Sequence, residues 1–249
     1  ENAALSTEII QVTANDSDIG NNAKLKYAIN NGAAIPFKID AETGMIKVSS
    51  NIDRETQDSY QLSVEVYDLG PIQLTSTTTV TITVLDANDN APVYLLSKYS
   101  FTVLESSPIG TSFGQVSATD ADLGVNALVT YAITSVNKGI IGHFSVDSTS
   151  GIISTSTSAL DKETVKNYEI CITASDGGTP KQSTSTCVKI EVLDSNDNRP
   201  VFPHNYTTTV SESTATGTSI LTVNATDVVS TILFKNIMFC VSHKFLIIL

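Results

Sequence analysis

Residues 84–94 read VLDANDNAPVY and residues 192–202 read VLDSNDNRPVF, and these two matching stretches decide how the rest of the chain is organised. In each stretch an apolar pair meets an Asp, an Asn-Asp-Asn triplet follows, and a Pro comes two residues later. The two stretches lie 108 residues apart, which predicts a repeated unit of about that length.

A second repeated pattern opens each unit. Residues 1–18 read ENAALSTEIIQVTANDSD and align without gaps on residues 105–122, which read ESSPIGTSFGQVSATDAD. A third copy, ESTATGTSILTVNATD, covers residues 212–227, and in every copy a Glu precedes an Asp by 15 residues. We therefore predict three units. The first, at residues 1–90, has an incomplete first strand, and the second, at residues 91–198, is complete. The third, at residues 199–249, is truncated and has a divergent tail.

Apolar residues alternate with other residues inside each unit. The alternation runs through residues 60–66 and 80–84, and again through residues 168–174 and 188–192. A period of two indicates strands with one buried face, and turn-rich stretches such as DGGTP at residues 176–180 separate them. We therefore predict an all-β chain with one antiparallel β-sandwich in each complete unit. Further core side chains are expected at Leu25, Tyr27, Ile29, Phe37, Ile39 and Ile46, and at Val129, Tyr131, Ile133, Phe144, Val146 and Ile153.

The composition excludes some classes of function. The 249 residues include 14 Lys and Arg against 26 Asp and Glu, which gives a formal net charge of −12. Nucleic-acid binding requires basic patches that contact phosphates, so we expect no nucleic-acid partner. The chain begins without Met or a signal-peptide pattern, and we interpret it as an internal fragment of a longer protein.

The acidic residues concentrate at strand ends and in the short linkers between units. One loop rich in Asp and Asn is as often a solvated turn as a binding site, but two copies at matching ends of repeated units favour a site. Two like charges at ~4 Å repel by about 4 kcal/mol at an effective dielectric near 20. Carboxylate, amide and carbonyl oxygens are the ligands that Ca²⁺ prefers, whereas Zn²⁺ prefers Cys or His and Mg²⁺ demands a stricter geometry. These linkers therefore predict calcium sites.

Taken together, these motifs resemble the cadherin repeats. The linkers read DANDNAP and DSNDNRP, the upstream loops read DRE at residues 53–55 and DKE at residues 161–163, and the downstream loops read DSDIGNNA at residues 16–23 and DADLGVNA at residues 120–127. The resemblance covers residues 1–227. Within the family, the chain resembles an interior stretch of a protocadherin or Fat/Dachsous-type ectodomain. It implies tandem seven-stranded Greek-key β-sandwiches, which are immunoglobulin-like in architecture.

The resemblance also implies calcium ligands, with about three Ca²⁺ ions at each complete junction between repeats. At the first junction they are Glu1, Asp53, Glu55, Asp86, Ala87 (carbonyl), Asn88, Asp89 and Asn90 upstream, and Asp120, Asp122, Asn126 (carbonyl) and Asp176 downstream. At the second junction they are Glu105, Asp161, Glu163, Asp194, Asn196, Asp197, Asn198 and Asp227. Half of a junction with a preceding repeat is expected from Asp16, Asp18, Asn22 and Asp68.

The third unit departs from the pattern after residue 227. Val229 stands where the family has a second Asp, and residues 228–249 match nothing in the repeat. The tail is largely apolar, which is typical of a membrane span, but four polar residues interrupt it in the middle of a domain, namely Lys235, Asn236, His243 and Lys244. We favour a truncated or mispredicted gene end over a membrane span.

The three cysteines are too few for a disulfide-stapled miniprotein. Cys171 and Cys187 are expected at solvent-facing positions of two consecutive strands, where the first unit has Ser63 and Thr79, and Cys240 is left over. Our hypothesis is a cross-strand disulfide formed in an oxidising exterior, and the alternative is a pair of free thiols.

Short sequence motifs bear on glycosylation and on catalysis. Asn205 and Asn224 begin N-glycosylation sequons, and a third at Asn15 overlaps a calcium motif. Paired carboxylates also serve acid–base catalysis in glycosidases, but here they lie in linkers, and no nucleophile elbow, phosphate loop or zinc motif accompanies them. We expect no enzyme.

The resemblance implies calcium-dependent cell–cell adhesion at the extracellular side of the plasma membrane, in a membrane-anchored parent. The expected partners are other cadherin ectodomains, bound homophilically or heterophilically. One branch of the family docks by exchanging a Trp, and this chain contains none. Two alternatives remain, which are a structural spacer and a cadherin-like module of a secreted carbohydrate-active protein.

Overall fold

The computed structural model describes residues 1–32, 34–226, 234–241 and 244–246. Over these residues the regular structure is β-strand apart from one short 3₁₀ helix at Gly20–Ala23. The chain divides into two compact units. Unit 1 comprises Glu1–Leu95, Ser117–Tyr131 and Thr173–Ser185, and unit 2 comprises Leu96–Val116, Ala132–Ile172 and Thr186–Leu249. The acidic loops that follow residues 117 and 173 therefore belong to unit 1, together with the first linker.

The strands of the first repeat form two antiparallel sheets of three strands each. They are β1 (Glu8–Gln11), β2 (Leu25–Ile29), β3 (Phe37–Ile39), β4 (Met45–Val48), β5 (Ser59–Asp68) and β6 (Thr75–Thr83). The sheet orders are β1-β4-β3 and β2-β5-β6. Alternate side chains of the facing strands meet between the sheets, and the buried centre consists of Phe37, Ile46, Leu62 and Val64. The alternation read from the sequence therefore locates the core.

The strands of the second repeat form a four-stranded and a three-stranded sheet with a short two-stranded ribbon. They are β7 (Val93–Tyr94), β8 (Tyr99–Leu104), β9 (Ser112–Gln115), β10 (Ala118–Thr119), β11 (Thr130–Lys138), β12 (Phe144–Val146), β13 (Ile152–Thr155), β14 (Asn167–Ser175) and β15 (Ser183–Leu193). The orders are β11-β14-β15-β8, β12-β13-β9 and β10-β7. Seven strands in two sheets confirm the predicted tandem β-sandwich fold.

The two sandwiches differ at the edge of one sheet. In the second repeat β8 pairs in parallel with β15, and Val188 and Ile190 are only 0% and 1% exposed. In the described part of residues 1–95, β6 ends its sheet and pairs only with β5. The corresponding Val80 and Ile82 are only partly buried, because no strand like β8 flanks them.

The last described strands form a separate antiparallel sheet. It is built from β16 (Ser219–Ala225), β17 (Phe234–Val241) and β18 (Lys244–Leu246) in that order. Asp227 and Val229, which carried predictions about the third repeat, lie outside the described residues. Among the residues that the structure does describe, no helix is long and apolar enough to cross a membrane.

An Asp closes the turn between β3 and β4 in the first repeat and the turn between β12 and β13 in the second. The Oδ1 atom of Asp40 accepts hydrogen bonds from the backbone N–H groups of Glu42 and Thr43 and from the Thr43 hydroxyl. Asp147 repeats this arrangement one unit later, with Ser150 in the place of Thr43. These donors hold the pKa of both carboxyl groups below the ordinary value for Asp. Each carboxylate therefore stabilises its turn in the charged form.

We predict that Asp40→Asn lowers the melting temperature at neutral pH, and that the difference from the wild type shrinks in acid. The folded-state pKa of Asp40 is lowered, so its stabilisation is present above its ordinary pKa of 3.8 and is lost as the pH falls through the lowered value. Melting curves recorded from pH 7 down to about pH 2.5 measure this. Asp58→Asn, at an exposed carboxylate before β5, serves as the control. A constant difference across the whole pH range would contradict the prediction.

Cys171 of β14 and Cys187 of β15 form a disulfide, with a sequence separation of 16 residues. Cys187 is exposed, as expected, but the solvent-facing position predicted for Cys171 is wrong, because that residue is only 7% exposed. β14 lies between β11 and β15, and Asn137 of β11 covers the sulfur of Cys171 with its Nδ2 atom at 3.1 Å. The alternation of positions along the strand therefore predicted the wrong exposure for a residue of a central strand.

We predict that replacing both cysteines by Ser lowers the free energy of unfolding by about 3 kcal/mol, because the bond closes a short loop in the unfolded chain. Ser63 and Thr79 pair directly in the register of β5 and β6. The double variant Ser63→Cys, Thr79→Cys is therefore expected to add a stabilising disulfide to the first repeat. Urea unfolding with and without reductant measures both effects, and mass spectrometry finding free thiols at 171 and 187 would refute the bond.

Candidate metal centre

Glu1 joins two acidic segments of unit 1 through their backbones. Its carboxylate accepts hydrogen bonds from the N–H of Arg54 at 2.9 Å and from the N–H of Ala87 at 2.6 Å. Burial alone would raise the pKa of Glu1, but these two donors lower it more, so the pKa lies below the ordinary value for Glu. The DRE loop and the first linker are therefore held against one carboxylate.

Unit 2 repeats this arrangement around Glu105. Its carboxylate accepts hydrogen bonds from the N–H of Lys162, at 2.7 Å, and from the N–H of Ser195. Glu105 is 3% exposed, so these bonds lie inside the protein. The two carboxylates thus make the same contacts in both units, since Lys162 and Ser195 correspond in sequence to Arg54 and Ala87.

The acids of unit 1 gather in two overlapping groups. Carboxylate oxygens of Glu1, Asp53 and Glu55 lie within 4.8 Å of one another, and so do those of Glu55, Asp89 and Asp122. Burial raises the pKa of Glu55, and the neighbouring charge of Glu1 raises it further. Glu55 therefore belongs to both groups and lies where negative charge is most crowded.

The loops at residues 117–131 and 173–185 complete the acidic cluster of unit 1. Asp176 is fully buried and accepts hydrogen bonds from the N–H of Gly178 at 3.0 Å and of Gln182 at 2.9 Å. Burial raises the pKa of Asp120, and the charges of Asp122 and Asp176 raise it further. Desolvated acids at this spacing favour a bound cation over mutual repulsion.

The linker residues of unit 1 contact these loops directly. Asn90 donates through Nδ2 to Asp122 Oδ1 at 2.8 Å. Asp86 Oδ2 accepts from the N–H of Leu123 at 3.1 Å and from Nδ2 of Asn126 at 2.9 Å. The residues predicted as upstream and downstream ligands of the first junction are therefore brought together.

Two buried oxygens of unit 1 show that the cluster fits a metal ion. Asn88 Oδ1 and Asp120 Oδ2 are inaccessible to solvent and have no hydrogen-bond partner among the described residues. The amide nitrogen of Asn88 donates to the carbonyl of Pro180, so its Oδ1 atom is available to a cation or to a hydrogen-bond donor. Because the donor set consists of oxygens, it suits Ca²⁺ rather than Zn²⁺.

Unit 2 contains a smaller group of acids. Oxygens of Glu105, Glu163 and Asp197 lie within 4.8 Å of one another. Asn198 donates through Nδ2 to Asp197 at 2.8 Å, and Asn196 is exposed. Asp161 lies in the DKE loop with Glu163, and its pKa is lowered chiefly by a hydrogen bond from the hydroxyl of Thr164. The last ligand expected at this site, Asp227, lies outside the described residues.

Two of the four residues assigned to a preceding junction, Asp16 and Asp68, keep the local hydrogen bonds of their counterparts Asp120 and Asp176. Asp68 is 4% exposed and accepts from the N–H of Gly70 at 2.9 Å, as Asp176 does from Gly178. Asp16 accepts from the N–H of Asp18 at 2.8 Å. None of the close groups of acids in the described residues includes them. Their role as ligands, with Asn22, stays a prediction.

The sequence reasoning assigned no role to the basic residue at the centre of DRE and DKE. Arg54 lies within the acidic cluster of unit 1 with 9% of its side chain exposed, beside Asp86 and Glu55. Lys162 occupies the same place in unit 2, beside Asp194. The signal was the recurrence of a basic residue between two acids in both motifs.

The predicted glycosylation sites differ in what the structure describes. Asn205 is exposed, which agrees with a modified position but does not establish it. Asn224 lies within β16, and its side chain is outside the described part of the chain. Both sites stay predictions.

Tandem β-sandwiches with acidic loops at their ends define a class of repeat protein, and comparison with known proteins identifies the family. The model of the Cadherin domain matches residues 1–85 and 99–193. The chain belongs to the cadherin family. Cadherin domains are adhesion modules rather than enzymes, which confirms the prediction that the paired acids do not catalyse a reaction.

The chain is similar to parts of much longer proteins. It is 41% identical over 228 residues to the Fat-like cadherin-related tumor suppressor homolog of Drosophila melanogaster, and 40% identical over 229 residues to Protocadherin Fat 1 of Homo sapiens. Each alignment covers 91% of this chain and 5% of that protein. The predicted resemblance to Fat-type cadherins and protocadherins is confirmed.

Solved structures agree with the fold. The protocadherin gammaB7 EC3-6 cis-dimer structure matches with a TM-score of 0.82 and 29% identity, covering 91% of this chain and 57% of that chain. Mouse Cadherin-23 EC22-24 matches with a TM-score of 0.73 and 31% identity, covering 91% of this chain and 72% of that chain.

We predict that Glu105→Ala lowers the free energy of unfolding by about 1–3 kcal/mol in the presence of EDTA, because the part-buried N–H groups of Lys162 and Ser195 lose their acceptor. Urea denaturation measures the change without any contribution from metal. Glu191→Ala is the matched control, since Glu191 forms a surface ion pair with Lys166 and should cost less than about 1 kcal/mol. Equal effects of the two variants would show that Glu105 does not hold its loops together.

Proposed function

We propose that this chain is part of a calcium-dependent cell–cell adhesion ectodomain, in which Ca²⁺ at the junctions between repeats makes the linkers rigid. The observation that carries the proposal is the cluster of unit 1. Oxygens of Glu55, Asp89 and Asp122 lie within 4.8 Å of one another. Asn88 and Asp120 contribute buried oxygens that have no hydrogen-bond partner in the described residues.

The proposed ligands come from segments that are distant in sequence. The DRE loop and the linker precede residue 91, whereas Asp120 and Asp176 belong to loops of the following repeat. The calcium ion would replace repulsion among these acids with shared coordination by six to eight oxygens. Glu1 and the backbone donors around it would position the DRE loop beside the linker, so that the acids of both segments face one ion.

We propose about three ions at the first junction, by similarity to the cadherin family. The predicted ligands there include eight carboxylates, which are Glu1, Asp53, Glu55, Asp86, Asp89, Asp120, Asp122 and Asp176. Three divalent ions nearly neutralise this charge. Extracellular calcium modules bind at roughly 10⁻⁴ to 10⁻³ M, so such sites would be filled outside cells and empty inside.

The proposed setting is the extracellular side of the plasma membrane, in a membrane-anchored parent protein. The proposed partners are other cadherin ectodomains, through homophilic or heterophilic contacts. The family and the similarity to Protocadherin Fat 1 support this setting.

A structural spacer is the second candidate function. The absence of Trp favours it, because the Trp exchange that joins one branch of cadherins is not available to this chain. Beads coated with residues 1–249 distinguish the two functions. Aggregation that requires Ca²⁺ supports adhesion by this stretch, and dispersed beads beside a positive cadherin control support a spacer.

We predict that the wild-type chain takes up Ca²⁺ at millimolar levels and that Asp89→Ala weakens this uptake about tenfold, or ~1.4 kcal/mol. Asp89 forms a close group with Glu55 and Asp122, and its loss removes one of the three carboxylates of that group. Calorimetric titration measures uptake, and small-angle scattering with and without Ca²⁺ measures rigidity. Asp58→Ala, at an exposed acid before β5, is the control.

Proteolysis supplies an independent test of the linker. With Ca²⁺ removed, the stretch at residues 86–92 should become sensitive to protease while each sandwich stays folded by circular dichroism. An unchanged length in scattering and an absence of calcium uptake would together refute the proposed function.

A further inference from the structure

The sheet β2-β5-β6 of the first repeat ends at β6, whose outer edge pairs with no strand of the described residues. Residues 75–83 read TSTTTVTIT and contain neither a charged residue nor a proline. Native proteins usually protect such an edge with charges, prolines or a covering segment, because its N–H and C=O groups can otherwise pair with another chain. β6 is therefore open to the addition of a strand.

The second repeat shows which kind of strand this edge accepts. β15, the counterpart of β6, pairs in parallel with β8 over six consecutive residue pairs. Tyr99 and Val103 of β8 turn inward and are 5% and 4% exposed, and Phe101 lies between them in the sequence. The suitable strand is therefore parallel to β6, with apolar or other uncharged residues at every second position.

A groove beside β6 takes the place that β8 fills in the second repeat. Its volume is about 430 Å³, and its lining includes Ile10, Tyr27 and Val80. Ile10 aligns with Gly114, on which the ring of Phe101 packs so closely that a Cβ atom there would lie 2.6 Å from it. Because Ile10 occupies part of the space that this ring would need, the groove suits a smaller side chain.

Residues 205–211, which read NYTTTVS and are called the donor segment below, have the required pattern. The donor segment ends directly before the Glu of the third repeated pattern, as β8 ends before the Glu of the second. Tyr206, Thr208 and Val210 align with the alternate residues of β8, and the smaller Thr208 replaces Phe101. The donor segment lies between β15 and β16, outside the described strands, and Val210 is 44% exposed.

We propose that the donor segment of one copy of this chain adds as a parallel strand to the β6 edge of a second copy. The sizes of the contacting side chains are complementary, since the second repeat combines Phe101 with Gly114 and the contact between copies combines Thr208 with Ile10. Donor and acceptor are different surfaces, so the contact is heterologous. This inference goes beyond the proposed function and does not depend on calcium.

The register of the added strand follows from β8 and β15. By that register Thr208 lies beside Ile82, and the partly buried Val80 and Ile82 gain a covering strand. The N-terminal amine of Glu1 donates to the carbonyl of Leu85 at 2.7 Å, so the added strand ends before Leu85. A contact of this length lies at the small end of known interfaces, and we expect a dissociation constant on the order of 10⁻⁴ M.

The test is sedimentation velocity of the full chain in EGTA, over concentrations on both sides of this value. The protein is produced without N-glycans, because Asn205 begins the donor segment. The wild type should self-associate, and Val210→Asp should weaken the association about tenfold, because a charge would enter an apolar groove. Ala215→Asp is the matched control, since it adds the same charge at an exposed position outside the donor segment.

An exchange of side-chain sizes tests the register. Thr208→Phe should weaken the association about tenfold, because the ring meets Ile10 of the second copy. Adding Ile10→Gly to this variant should restore the association, because the pair then reproduces the packing of the second repeat. Melting curves establish that each variant is folded. Hydrogen exchange should show that residues 75–83 and the donor segment become protected together as the concentration rises.

Three results would overturn the inference. They are a wild type that stays monomeric, a Val210→Asp variant that associates as tightly as Ala215→Asp, and a double variant that associates no better than Thr208→Phe. Protection of residues 75–83 without the donor segment would show that two β6 edges pair with each other, and this also excludes the proposed contact. Because EGTA is present throughout, none of these results bears on calcium-dependent adhesion, and a lack of calcium uptake leaves the inference standing.

Discussion

Crowding of carboxylates at the ends of the sandwiches is the constraint on which the rest of this protein depends. Asp122 and Asp176 are almost completely buried, and Asp120 has a raised pKa because burial and its acidic neighbours disfavour its charge. A fold that desolvates several acids together must place positive charge beside them, because otherwise their mutual repulsion destabilises the folded state. Two consequences of that one constraint are the buried guanidinium of Arg54 and the oxygens of Asn88 and Asp120, which have no hydrogen-bond partner in the described part of the chain.

The sandwiches provide the rigid frame that makes such crowding tolerable. Long strands such as β5 and β14 bury side chains of one face, and acids such as Asp68 and Asp176 lie where those strands end. Loop positions are then set by backbone hydrogen bonds to Glu1 and Glu105, which recur with the same partners in both units. Membership of the cadherin family accounts for this recurrence, since each repeat uses the same local solution.

Much of the fold and of the site could be predicted from the sequence, because both are expressed in periodic patterns. Alternation located β5 and β14, and repetition of DxNDN motifs located the acids that the structure brings together in unit 1. Prediction was weaker for the burial of Cys171, since Asn137 of a neighbouring strand covers it. It was also silent on Arg54, because a basic residue between two acids looks like ordinary surface charge until its surroundings are known.

The sequence by itself determined the repeat length, the strand pattern, the family and the identity of the acidic residues, because each of these is local or periodic along the chain. Only the tertiary structure decided which oxygens lack partners and which cation faces Asp86. Those properties depend on contacts between residues far apart in sequence, such as Asp86 with Leu123 and Asn88 with Pro180. Burial sets how strongly the charges there interact, and burial is a property of the folded chain rather than of any one segment.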